Sequence, residues 1–260
     1  MFENKNHTLA SIAIVFVSAC SQNDAELNSN KIRIQAVQDT AISYGAQSAL
    51  AWQSKKINTQ LSNKQKILST IYDFKRIMLP HNVLPPVINQ ASNALNLSDS
   101  KTLRSSDQVI EIIKDAKFVT TPPSWRDYLI MNFKTPEKPA DTMLPRNNME
   151  RQIWDQYVVE GWRRGYKQAN AILSERLGKL TQDYTGMAFF KKLYVLNMVT
   201  APHVATADLG ITGNNKKLTI GDKIVRITNG SELLTNLSKR WKTGLSIKKV
   251  QHGSFGDDLK

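Results

Sequence analysis

The chain has one cysteine, Cys20, in 260 residues. An internal disulfide is therefore excluded, and a folded core must stand on packing alone. Acidic residues are also scarce: 22 Asp and Glu face 35 Lys and Arg, for a formal net charge of +13. Such an excess points to anionic neighbours. No stretch holds five or more consecutive Lys or Arg, however, so a polybasic arm is absent and scattered lysines could simply serve solubility. Catalytic signatures are missing too. There is no Gly-x-Ser-x-Gly, no phosphate-cradling glycine loop and no His-Glu-x-x-His. The four histidines, His7, His81, His203 and His252, lack metal-ligand spacing.

What is present begins with the run Leu9 to Ala19, which is apolar and uncharged over 11 positions. A membrane-spanning helix needs about 20 apolar residues, and a signal-peptide core about 7–15. The run ends in Val17-Ser18-Ala19-Cys20, an apolar residue and two small ones before a cysteine. This is the pattern at which a lipoprotein signal is cut, because the peptidase needs small side chains beside the scissile bond and the thiol receives the lipid. Residues 1–19 are thus expected to be a signal peptide, Cys20 the lipid-attachment residue and 20–30 (CSQNDAELNSN) a tether. Ser21, in place of Asp, favours outer-membrane sorting. Were Cys20 acylated, it would be no nucleophile.

Downstream, the spacing of Ile34, Val37, Ala41, Leu50 and Ile57 predicts helix, and a second helix is expected over 64–78. Pro80, Pro85 and Pro86 then stop helix formation. Strands are expected over 87–97 and 101–113, about a turn at Ser105-Ser106-Asp107. A Pro-rich stretch, 119–145, carries Trp125, Tyr128, Leu129 and Phe133, too many large apolar groups for a flexible linker. It reads as a strap packed on the domain. A helix over 149–180, capped by Asn147 or Asn148, should be followed by another over 182–200. Gly161 and Gly165 imply either close helix approach or a bend. Two strands are expected about Gly221-Asp222, then a helix over 231–241 and a mobile tail over 242–260.

The halves echo each other. Lys101-x-Leu103-x-x-x-Asp107-x-Val109-Ile110-x-Ile112 aligns with Lys216-x-Leu218-x-x-x-Asp222-x-Ile224-Val225-x-Ile227, a step of 115 (222 − 107). Pro85-x-Val87 aligns with Pro202-x-Val204. Two pseudo-repeats, about 45–113 and 160–228, follow. The fold class expected is α+β: a helix-dominated single domain with a small antiparallel sheet built from two αα-ββ units.

His81 and His203 sit beside matching prolines, which suggests a structural role. No metal and no cofactor are expected beyond the covalent lipid on Cys20. Trp125, Arg126, Trp162 and Arg163 are the candidate partner-binding residues, since Trp beside Arg suits a protein interface. Direct contact with nucleic acid is not expected.

Several segments together resemble the DotC family and its conjugative relative TraI. They are Leu84-Pro85-Pro86-Val87, Phe118-Val119-Thr120, Pro123-x-Trp125-Arg126-Asp127-Tyr128-Leu129, Glu160-Gly161-Trp162-x-x-Gly165 and Leu209-Gly210-Ile211-Thr212-Gly213, with Gly45-Ala46 and Leu50-Ala51-Trp52 upstream. The resemblance makes 31–241 one DotC-like domain. It implies a non-enzymatic lipoprotein on the periplasmic face of the outer membrane, in the core complex of a type IVB secretion or conjugation system. There it would help a DotH-like subunit reach the outer membrane and assemble a ring, together with a DotD-like lipoprotein and copies of itself. The alternative from another class is an envelope-anchored protein that binds or hydrolyses the cell wall.

Overall fold

The computed structural model describes residues 13–99, 101–236 and 241. Residues 1–12 of the expected signal segment and the expected tail 242–260 lie outside the described residues. The chain forms helix α1 (Ala13–Asn63), helix α2 (Gln65–Ile71), strands β1 (Val83–Leu84), β2 (Val87–Asp99), β3 (Thr102–Lys114) and β4 (Lys117–Phe118). Helix α3 (Trp125–Leu129), helix α4 (Asn148–Val195), β5 (His203–Asn214) and β6 (Lys217–Asn229) complete it. The helix-dominated α+β class follows directly. The described residues form two compact units, residues 13–66 with 129–177 and residues 67–128 with 178–236.

The first unit is built on α1 and the opening two-thirds of α4. The segment 20–30, expected as a tether, continues α1 without a break. Small side chains recur every fourth position on both helices: Ala41, Gly45 and Ala49 on one, Gly161, Gly165 and Ala169 on the other, all buried. A Cβ on Gly161 would stand 2.2 Å from the Ile42 carbonyl oxygen, and one on Gly165 2.1 Å from that of Ala46. Gly45 is closed in the same way by the Val158 carbonyl at 2.4 Å. The backbones therefore touch, as small-residue helix seams allow. Of the two readings of the Gly161–Gly165 pair, close approach is the one realised. Contacts advance along both helices in the same direction, since Arg33 meets Glu150 and Gln53 meets Asn170, each pair 117 residues apart. The helices are parallel, and positions related by nearly the repeat step face each other.

The strap is clipped to this pair by side chains. Asn58 Nδ2 donates to the Met131 carbonyl (2.7 Å) while its Oδ1 accepts from the Met131 amide (3.1 Å). Arg176 donates to the Ile130 carbonyl (2.8 Å). Met131 packs with Ile57 and Ala169 in a buried cluster.

The second unit holds three separate two-stranded antiparallel sheets, β1–β4, β2–β3 and β5–β6. One sheet joining the two hairpins was expected, and it does not form. Each ribbon is bent by register shifts, at Leu97/Asp99 in the first and on both sides of Gly210 in the second. Such irregularities increase local twist and turn an edge away from a partner. The expected turns also move. Ser105-Ser106-Asp107 lies inside β3 and Gly221-Asp222 inside β6. Gly210 and Gly221 have φ of +67° and +68°, a backbone glycine adopts without strain. They make the kink, and Asn214 makes the turn: its Oδ1 accepts from the amides of Lys216 and Lys217, both at 3.0 Å. β3 and β6 nevertheless begin and end at the same step of 115 that the sequence alignment uses.

Helix boundaries differ from expectation for local reasons. α2 stops at Ile71, and Phe74–Arg76 forms a short 3-10 turn capped by the Asp73 side chain. α4 replaces the two helices expected over 149–200. It is capped at its start by Asn147, whose Oδ1 accepts from the Glu150 amide at 2.8 Å. It ends in a left-handed Asn197 (φ 53°), with Met198 N–H on the Leu193 carbonyl and Asn197 N–H on that of Tyr194. That is a Schellman stop, with asparagine where glycine is commoner. Residues 231–236 are not helical, and Leu233 bridges to Val199. The unit's core is Ile88, Phe190, Leu193, Met198 and Val199, with Ile110 and Ile112 of β3 packed against it.

Candidate interaction surfaces

Two buried polar nodes fix the scaffold, one in each unit. In the first, Arg33 of α1 reaches Glu150 at the start of α4 through Nη2 (3.1 Å) and also donates to the carbonyls of Thr142 and Leu144 in the strap. Glu150 additionally accepts from the Arg146 amide (2.9 Å). The Arg33 hydrogen bond, then the Arg146 amide, hold the Glu150 carboxyl below its ordinary range. One arginine thus ties the body of α1, the start of α4 and the strap together.

In the second unit, Asp183 of α4 is buried. It takes both oxygens' worth of contact from Lys114 Nζ (2.5 and 2.8 Å) at the end of β3, and a hydrogen bond from the Tyr128 hydroxyl (3.1 Å). Burial first, then the Asp183 charge, push the Tyr128 phenol well above its ordinary value of 10. A phenol held protonated in this way donates a hydrogen bond and does not act as a base. Phe74 stacks on Tyr128 at 5.9 Å, and Tyr184 meets Phe74 edge-on at 5.3 Å. The node joins α4 to the end of β3 and to Tyr128 just before the strap's Leu129.

The four residues expected to meet a partner separate. Trp125 is 1% exposed, and its indole N–H donates to Ser69 Oγ at 3.1 Å. It is a core residue and cannot present itself to a partner. Arg126 covers it from the outside, 4.4 Å from the ring centre. Trp162 and Arg163, by contrast, lie on the surface. Trp162 is 39% exposed and tilts against Trp52 at 5.9 Å, with Lys56 Nζ 5.2 Å from the Trp52 ring. Val159 and Tyr166 are exposed on the same helix face, one turn to either side. Arg163 and Arg164 both pair with Glu160 (2.6 and 2.8 Å), and these hydrogen bonds, that of Arg164 first, hold the Glu160 carboxyl below its ordinary range. The result is an aromatic patch with a basic rim. Trp52 belongs to it, a residue the sequence marks only through the family segment Leu50-Ala51-Trp52 and not as a partner-binding candidate.

Cys20 falls within the span of α1. His81 sits in a turn with left-handed backbone (φ 60°), and His203 Nδ1 lies 2.9 Å from Thr228 Oγ1 at the base of the β5–β6 ribbon. Among the described residues, no group of three or more His, Cys, Asp or Glu could hold a metal, and no helix is long and apolar enough to cross a membrane. An open cleft of about 370 Å³ runs between α1 (Asp39, Ser43, Gln47) and the strap (Pro136, Glu137, Pro139). Within it Ser43 Oγ accepts from Gln47 Nε2 at 3.1 Å.

No curated protein matches the chain. A protein family described as "Type IV secretory system, conjugal DNA-protein transfer" matches residues 31–243, from within α1 to beyond the second hairpin. The part of α1 from residue 31 on, the strap, α4 and both ribbons lie inside that match, and the chain belongs to this type IV secretion family.

Proposed function

We propose that the protein is a structural, non-enzymatic lipoprotein of a type IVB secretion or conjugation core complex, anchored by lipid on Cys20 to the periplasmic face of the outer membrane. The observation that carries this reading is the family match over 31–243. The Val17-Ser18-Ala19-Cys20 motif supports the anchor. In this reading the chain holds a DotH-like subunit at the outer membrane beside a DotD-like lipoprotein. The exposed patch of Trp52, Val159, Trp162 and Tyr166 is the contact for one such subunit. Aromatic anchors rimmed by arginine are the composition that protein interfaces favour.

Cys20→Ser tests the anchor. The variant should lose the protein and its DotH-like partner from the outer-membrane fraction and abolish transfer. Unchanged fractionation and transfer would overturn the anchoring role. Trp162→Ala tests the patch, with an expected loss of partner co-purification of tenfold or more at unchanged melting temperature, a central aromatic anchor being worth about 2 kcal/mol or more. A clear zone on a peptidoglycan gel would replace the structural reading with the cell-wall one.

A further inference from the structure

We infer that the outer halves of the two β-ribbons carry aliphatic faces that dock on an anionic phospholipid surface, independently of any lipid on Cys20. The pairing fixes the faces. Ile211 pairs with Ile220 and Gly213 with Leu218, so Ile211, Leu218 and Ile220 share one side of the β5–β6 ribbon. Thr212, Thr219, Asn214 and Lys217 share the other.

The apolar side is the one left open: Ile211, Leu218 and Ile220 are 68, 66 and 75% exposed, whereas Thr212 and Thr219 are half-buried. A ribbon folded for water would show the reverse. The β2–β3 ribbon repeats the feature, with Leu95 and Leu103 more than half exposed and Leu103 at the position of Leu218 in the repeat.

Charge chooses the occupant. The β5–β6 ribbon carries Lys216, Lys217, Lys223 and Arg226 against Asp208 and Asp222; Lys223 pairs with Asp208 at 3.7 Å, so Lys216 and Lys217 at the turn flank the aliphatic tip, within a chain of net charge +13. A second copy would bring the same positive charge to the same face and be repelled. An anionic headgroup layer complements it: the aliphatic side chains enter the headgroup–acyl boundary while the flanking lysines reach phosphates. The turn is held by Asn214, so docking orders little further chain. The inference goes beyond the proposed function and survives its failure, since the contact requires neither Cys20 nor a protein partner.

The single cysteine makes the test direct. In the full chain carrying Cys20→Ser, Ile220→Cys labelled with an environment-sensitive fluorophore should shift to the blue on vesicles of phosphatidylethanolamine and phosphatidylglycerol. It should not do so on phosphatidylcholine alone, and added salt should weaken the shift. Thr219→Cys, labelled on the opposite side, should stay unshifted. Adding Leu218→Ser to the labelled chain should weaken the Ile220 response about tenfold or more. Equal responses at positions 219 and 220, or none at either, would overturn the inference. So would a blue shift at Ile220 that rises with protein concentration in the absence of vesicles, which would assign the face to a second copy.

Discussion

At the residue scale, Arg33 and Glu150 set the most exacting condition. The Glu150 carboxyl is held below its ordinary value of 4.5 by Arg33 and the Arg146 amide. A carboxylate depressed in the folded state stabilises above its unfolded value, and that contribution fades as pH falls through the folded one. Glu150→Gln should therefore lower the melting temperature at pH 7, by the equivalent of about 1–3 kcal/mol, and the gap to the parent should close under acid. Thermal unfolding at pH 7 and pH 3 measures both. In the second unit, Asp183→Asn leaves Lys114 without its charge partner and should cost more than Tyr128→Phe, which removes one hydrogen bond worth about 1 kcal/mol. Equal losses would mean that the tyrosine, and not the ion pair, carries the node. Sequence reasoning reached Trp125 and assigned it wrongly for an identifiable reason. Trp beside Arg looks like an interface anchor, and only the distant Ser69, which receives its indole N–H, reveals it as core.

Elements were legible where the cause is local. Asn147 as a cap, the prolines that end α2's neighbourhood and the strand spans of the first hairpin follow from nearby residues, whereas β5 was not expected as a strand. The turns were misread because Ser-Ser-Asp and Gly-Asp have turn chemistry, yet each lies in a strand whose bulge and kink use the same conformations. The break expected near residue 181 is absent because nothing in Leu180-Thr181-Gln182 stops a helix, and the true stop comes from Asn197. Of the glycines in α4, Gly161 and Gly178 make opposite predictions. Gly161→Ala drives a Cβ into the Ile42 carbonyl and should destabilise by about 1–3 kcal/mol, forcing the two helices apart. Gly178→Ala meets nothing within 4 Å and should stabilise by about 0.5–1 kcal/mol. Urea unfolding of the two variants distinguishes a backbone seam from a merely tolerated glycine.

At the scale of the whole molecule, the sequence echo between the halves raises the question of which elements from the two halves meet. The two hairpins were expected to meet each other. Instead the contact between repeats is made by helices, where Gln53 meets Asn170. No pattern within either half could announce that, because each half alone shows only a helix with a small-residue stripe. The surface patch around Trp162 was half visible for the same reason: its second ring comes from the other repeat.

The spacing of those helix contacts also governs the order in which the chain can fold. The contacts described in the α1–α4 seam join residues 110 or more apart, so the first helix lacks its helical mate until the chain has been made as far as α4. Closing a loop of that length is slow compared with forming either ribbon, whose strands are neighbours in sequence. The seam between the two long helices therefore closes only after more than half of the chain has been made, since α4 begins at Asn148.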